Sequence, residues 1–146
     1  MLNKEEIEKR ISSTNEAGLV SILYEAMIDN FKDSIDVIDK NDWNKLNYIN
    51  NNSRNILAEL LFTLRGDSNI SNNLKEIYIY TNKIITIGEN KKDKSYFETA
   101  IKIIQPLKEG FDQIEKNIDP KVITGLTYGK SSLDDYQLKR NKDFQG

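Results

Sequence analysis

Residues 19–38 read LVSILYEAMIDNFKDSIDVI, and the spacing of their apolar side chains decides the fold. Leu19, Leu23, Ala26, Met27, Phe31, Ile35 and Ile38 recur mostly at three- and four-residue steps. That is the period of one helix face, not the two-residue alternation of a half-buried strand. Ser34 is a polar member of the same face. Just upstream, Ser13 and Glu16 have the spacing of a capping box, in which each side chain satisfies the other's free backbone N–H. Lys40-Asn41-Asp42 closes the segment and offers Asn41 as a cap for the next helix.

The same period continues downstream. From Trp43 to Arg65 the inward row is Trp43, Leu46, Ile49, Ser53, Ile56, Leu57, Leu60 and Leu64, and Gly66 suits a left-handed position just beyond. Asp67 to Ile70 read as a turn. A third segment, from about Ser71 to Glu89, turns Leu74, Ile77, Thr81, Ile84 and Ile85 inward, with Gly88 tolerated near its end. A fourth opens on a second capping box, Ser95 and Glu98, and continues through Phe97, Ile101, Ile104, Leu107, Phe111 and Ile114. Pro106 removes a backbone hydrogen bond and clashes with the carbonyl of Lys102, at about 3 kcal/mol in a regular helix interior. The apolar row keeps its phase across it, which predicts a kinked continuous helix in preference to a break with Pro106 opening a new one. Joints of roughly 3–7 residues force neighbouring helices antiparallel. The expected architecture is all-α: an antiparallel up-down four-helix bundle over residues 13–118, a short N-terminal segment over 1–12, and a non-core C-terminal tail over 119–146. The N-terminal segment is at most a short charged helix. The tail carries Gly125 and Gly129 but also Val122, Ile123, Leu126, Tyr128, Leu133, Tyr136 and Phe144, enough apolar surface to dock on the bundle and occupy a groove there.

Composition narrows the chemistry. The 146 residues include no Cys and no His, and the formal net charge is −2. Disulfides, thiolate nucleophiles, zinc knuckles, imidazole bases and the Glu-x-x-His di-iron sites of helical bundles are all excluded. No Walker loop, dinucleotide fingerprint or EF-hand loop is present. Glu25 and Glu59 lie nearest the apolar rows, and their expected role is ion pairing, not catalysis. The chain is therefore expected to bind and not to catalyse, and to need no cofactor. The polar amino terminus lacks a signal-peptide core, and no apolar run approaches the ~20 residues that span a bilayer. A cytoplasmic protein without membrane insertion is expected. The charge balance argues against nucleic acid, and Lys91-Lys92-Asp93-Lys94 reads as a solvated turn.

Apolar side chains exceed what a bundle interior needs. Leu57, Leu60, Leu61, Phe62 and Leu64 cover more than one narrow stripe, and Tyr78, Ile79, Tyr80 and Ile87 lie outside the inward row of the third segment. The surplus widens the core or is covered by the tail, a second copy or another protein's helix.

Residues 19–28, LVSILYEAMI, resemble the opening helix of the FliS family of flagellar secretion chaperones, with its Leu-x-x-x-Leu-Tyr-Glu/Asp-Gly/Ala-hydrophobic pattern. The likeness continues through Ser53-Arg54-Asn55-Ile56-Leu57-Ala58-Glu59-Leu60, then Leu74, Ile77, Tyr78 and Tyr80, then Lys92-Asp93, and ends at Leu107 and Phe111. It spans about residues 11–116 in the family's order. The resemblance implies a non-catalytic cytosolic export chaperone. Such a protein binds the disordered, amphipathic C-terminal region of flagellin, prevents premature polymerisation and keeps flagellin competent for the flagellar type III export apparatus. On this reading flagellin's C-terminal helices cover Leu61, Phe62, Tyr78, Tyr80 and Ile87, with Tyr24 and Met27 contributing and Tyr48 and Asn52 supplying hydrogen bonds at the rim. Core packing is the competing role for Tyr24, Met27 and Tyr48. The sequence departs from the family in its first Tyr, which is Tyr24 inside the first long helix; the family commonly has a Tyr in the N-terminal segment that folds over the groove. The alternative function is a helical interaction or regulatory module that forms a homodimer through the same apolar surface.

Overall fold

A computed structural model describes residues 4–117 other than Ser13, Arg65 and Asp67; the tail expected at 119–146 and the capping Ser13 lie outside the described residues. The helices are α1 (Lys4–Ser12), α2 (Glu16–Asp39), α3 (Trp43–Thr63), α4 (Asn69–Lys91) and α5 (Lys94–Asn117). The four long helices follow the sequence reading closely, and α1 is the short charged helix of the N-terminal segment.

Each long helix starts on a side chain that accepts a free backbone N–H. Asn15 accepts from Gly18 N at 2.9 Å, Asp42 from Lys45 N at 3.1 Å, Ser68 from Ser71 N at 3.1 Å and Asp93 from Ser95 N at 2.9 Å. Three of these differ from the caps read in the sequence. Asn15 caps α2, where the sequence offered Ser13, a residue outside the described ones; Asp42 and not Asn41 caps α3; Asp93 and not Ser95 caps α5. Asn41 instead takes a left-handed turn conformation, φ 57°, which Asn tolerates well. Gly66 is also left-handed, φ 78°, but it follows an extended Leu64, so it serves the turn and not the helix end.

Joints of two to five residues leave the long helices no choice but to reverse direction. Cross-helix bonds confirm the antiparallel sense. Between α2 and α3, Asn30 donates to Ser53 while Ser34 donates to Asn50. Between α3 and α4, Asn47 pairs with Glu89 and Arg54 with Thr86. Between α2 and α5, Asn15 bonds to Glu115, Ser21 to Asp112 and Asp39 to Lys94. The packing order is a closed ring: α2 lies between α3 and α5, and α4 lies between the same two on the far side. α1 packs on α2.

The core is one cluster built around Phe31, Phe97, Met27, Leu46, Leu57, Leu60, Ile85 and Ile104. α2 is its most buried helix, with Ala17 to Ile22 inaccessible as an unbroken run. Gly88 lets α4 and α5 come together: a methyl group there would sit 2.8 Å from Tyr96 Cβ and 2.9 Å from the Phe97 ring. α5 runs unbroken through Pro106, which excludes the alternative of a new helix starting there. Pro106 is exposed, so the backbone bond it deletes falls on the solvent side, where water can satisfy the Lys102 carbonyl.

Candidate functional site

The nine candidate contact residues separate by burial. Tyr24 and Met27 are 0 % exposed and Tyr78 is 1 %. The Tyr24 and Tyr78 hydroxyls meet 2.5 Å apart, joining α2 to α4 across the middle of the ring, and Phe111 packs edge-on against Tyr24 with ring centroids 5.5 Å apart. Burial pushes the Tyr78 phenol far above its ordinary range, which the Tyr24 hydrogen bond only partly offsets, so it remains a neutral hydroxyl. Tyr78 is therefore part of the inward row of α4, not of the surplus, while Ile77 is only half-buried. A partner that meets the closed bundle finds none of these three side chains.

The other six are reachable. Phe62 is 69 % exposed, Tyr48 67 % and Tyr80 51 %. Asn52 is exposed and accepts a hydrogen bond from Asn30 at 2.8 Å; Leu61 and Ile87 are half-buried. They occupy two faces. Tyr48 and Phe62, with Asn55 midway at seven-residue steps, share the outer face of α3. Tyr80 and Ile87 lie on the side of α4 that meets α5, as the seating of Gly88 on Phe97 and of Lys91 over the Tyr96 ring fixes by helical phase. Ile79, 55 % exposed, points away from the core on α4.

Polar groups fill part of the interior. Asn50 is fully buried, donating to Ile85 O at 3.2 Å and to Glu89 Oε1 at 3.1 Å. Arg54 pairs with the same Glu89 at 2.6 Å and Asn47 donates to it at 2.7 Å. Burial alone would raise the Glu89 carboxyl, but the hydrogen bonds from Asn47, Arg54 and Asn50 and the Arg54 charge outweigh it and hold it below its ordinary value. Reading the sequence for apolar rows missed Asn50, although its register was a signal: it falls in step with Leu46, Ser53 and Leu57.

A second charged cluster pins α1. Arg10 reaches Glu25 at 3.1 Å; Lys108 lies 3.7 Å from Glu25 and 2.7 Å from Asp112, and Ser21 donates to Asp112. Glu25 is thus an inter-helix ion pair, as its position beside the apolar row suggested. Lys91 and Lys92 lie over the Tyr96 and Trp43 rings and Lys94 pairs with Asp39, so the basic stretch is an exposed joint held at the surface. Among the described residues, no three acidic side chains converge as a metal site would require, and no helix is long and apolar enough to cross a membrane.

A protein-family model described as "Flagellar protein FliS" matches residues 1–118. No curated protein matches the chain.

Proposed function

The chain belongs to the FliS family of flagellar proteins, and from that premise we propose that it is a cytosolic, non-catalytic chaperone for the C-terminal region of flagellin. Residues 13–118 form the binding unit, and flagellin bound there is kept from polymerising and ready for the flagellar type III export apparatus. The observation that carries this reading is the exposure of Phe62, Tyr80, Tyr48 and Ile79 on a bundle whose core is already complete without them. Large apolar side chains left in water on a closed core suit a surface that a partner covers. An amphipathic helix lying on such a face buries its own apolar stripe in return. A partner disordered until it binds loses affinity to its own ordering, so contact over more than one face is needed. The two faces on α3 and α4 supply that area, with Leu61 and Ile87 at their edges and Asn52 as a polar contact. Tyr24, Met27 and Tyr78 support the site from within.

Isothermal titration of the full chain with a flagellin C-terminal peptide tests the proposal. Saturable heat and a co-eluting complex on a sizing column are expected. No heat and no complex overturns it. A mass that rises with protein concentration without flagellin would favour the homodimer instead, for which the heptad-spaced Tyr48, Asn55 and Phe62 offer a shared helix face.

A further inference from the structure

The outer side of α3 carries a second regular row, opposite its buried one. Leu46, Ser53 and Leu60 are buried at seven-residue steps. Asn44, Tyr48, Asn51, Asn55, Ala58 and Phe62, at alternating four- and three-residue steps, are all exposed. At about 100° per residue this second row stays within about 40° of the line opposite Ser53. The 18 steps from Asn44 to Phe62 make it about 27 Å long. The alternation is the spacing with which one helix packs along another. None of the six is charged, in a chain that is 30 % charged. The other long helices differ, with exposed Lys32 and Asp36 on α2, Glu76 and Lys83 on α4, and Lys102 and Glu109 on α5. On α3 the charges stand at the edges of the row. Lys45 and Glu59 share the seven-residue column of Asn52, which bonds to Asn30 of α2. Arg54, on the α4 side, pairs with Glu89. Burial within the bundle cannot account for the missing charge, because every member of the row is exposed.

A helix laid along this row meets bulk toward both ends and amides between. Tyr48 and Phe62 leave room only for small side chains opposite them. Asn51 and Asn55 each present a donor and an acceptor, which a facing amide can satisfy together. A charged side chain brought there loses its water and finds no opposite charge. Asn51 accepts from Arg54 at 2.9 Å, which ties it to the edge of the row, while Asn55 stands midway between Tyr48 and Phe62. A second copy of the bundle is rigid and would cover this row alone. A chain that folds as it binds continues from the row to the face of Tyr80 and Ile87.

We infer that α3 selects its partner through this row. The helix of flagellin's C-terminal region that covers α3 turns an uncharged stripe toward it, with small side chains against Tyr48 and Phe62 and an amide against Asn55. This selection rests on the proposed flagellin binding and makes Asn55 a specificity-determining contact.

Isothermal titration with a flagellin C-terminal peptide compares the native full chain with Asn55→Asp and Gln113→Glu. Each variant exchanges an amide for a carboxylate of the same shape. Gln113 is exposed on α5, across the ring from α3. Circular dichroism checks that both variants fold as the native chain does. Kd is expected to rise about tenfold or more for Asn55→Asp and to stay within about twofold for Gln113→Glu. Peptides in which each Asn or Gln is replaced in turn by Lys locate the facing amide. One of them is expected to bind the native chain more weakly and to restore binding to Asn55→Asp. Asn55→Asp binding as tightly as the native chain, an equal loss in Gln113→Glu, or no Lys peptide that restores binding overturns the selection and leaves the flagellin reading standing. A native chain that binds no peptide overturns the flagellin reading and the selection with it. A native mass that doubles with concentration, and stays single in Asn55→Asp, assigns the row to a second copy and overturns the selection.

Discussion

Removing the hydroxyl of Tyr24 should destabilise the protein more than removing both hydroxyls of the Tyr24–Tyr78 pair. The two phenols are 0 % and 1 % exposed and their oxygens lie 2.5 Å apart. Tyr24→Phe leaves the Tyr78 hydroxyl buried without the group that faces it, and a stranded buried polar group costs about 1–3 kcal/mol. Tyr24→Phe with Tyr78→Phe replaces both partners by apolar rings of the same shape, which is close to neutral. Urea unfolding followed by circular dichroism reads the difference. At roughly 1–3 kcal/mol per molar for a domain of this size, the midpoint of Tyr24→Phe should fall by about 1 M. The double variant should recover most of that loss, giving a coupling of about 1–2 kcal/mol. Additive losses would show that the hydroxyls do not act as a pair and would refute the account of α2 and α4 as joined at this point. The same variants separate support from contact. If Tyr24 and Tyr78 act only from inside the core, the double variant should bind flagellin peptide as tightly as the native chain.

Phe62→Ser should do the opposite, leaving the unfolding midpoint unchanged while weakening flagellin binding. Covering the exposed 69 % of a side chain of about 200 Å² removes about 140 Å² from water, about 3 kcal/mol, so the loss in Kd by titration should approach a hundredfold. Glycine replacements should differ in sign: Gly88→Ala puts a methyl group 2.8 Å from Tyr96 Cβ and 2.9 Å from the Phe97 ring, where overpacking of about 1–3 kcal/mol outweighs about 1 kcal/mol of helix propensity. Gly110→Ala meets nothing and should gain about 1 kcal/mol, and thermal unfolding of the two variants reads both signs. Stability should also fall in acid. Glu89 is held below its ordinary value in the folded chain, so its contribution is complete above the unfolded pKa near 4.5 and is lost as pH falls through the lower folded value. Glu89→Gln should therefore flatten the decline of melting temperature below about pH 4.5, and an unchanged slope would exclude the Asn47–Asn50–Arg54 cluster as its cause.

The long helices were legible because each keeps a three-to-four-residue apolar row for about five turns or more, and because short joints fix the direction of the next helix. Pro106 was legible for the same reason, since the row around it never loses phase. Caps were less so. Asn15, Asp42 and Asp93 each stand near a rival of similar chemistry, and which one bonds depends on where the backbone leaves the helical region, not on residue type. The inner face of α4 was read correctly at Leu74, Thr81, Ile84 and Ile85 but missed Tyr78. Tyr78 and Ile77 are adjacent and both apolar, and only the hydroxyl of Tyr24 on another helix makes Tyr78 the inward one. Of the candidate surface, the exposed Phe62 and Tyr80 were visible as apolar excess. That excess carries no information on which neighbour each side chain lies toward, because that depends on packing across α3, α4 and α5.

The interior and the surface of this bundle depart from the usual apolar-in, polar-out pattern in opposite directions, and the two departures belong together. Asn30, Ser34, Asn50 and Ser53 are buried where apolar groups would pack as well, while Phe62, Ile79 and Tyr80 are exposed. A buried amide must find its partners, so it penalises every helix register but one; Asn50 bonded to Ile85 O and Glu89 is satisfied only in the observed pairing of α3 with α4. An apolar row enforces register less strictly, because a shifted row can still bury its side chains. A protein with sticky side chains on its outer faces risks alternative bundles in which those faces turn inward. Polar contacts in the core remove that risk without adding to the outer surface. On the chaperone reading, the polar core is what allows Phe62 and Tyr80 to stay outside and wait for a partner. The consequence is specific: Asn50→Leu should leave the helical content intact while loosening the register of α3 against α4. Faster amide exchange along both helices would show it, and exchange as slow as in the native chain would mean that apolar packing alone sets the pairing.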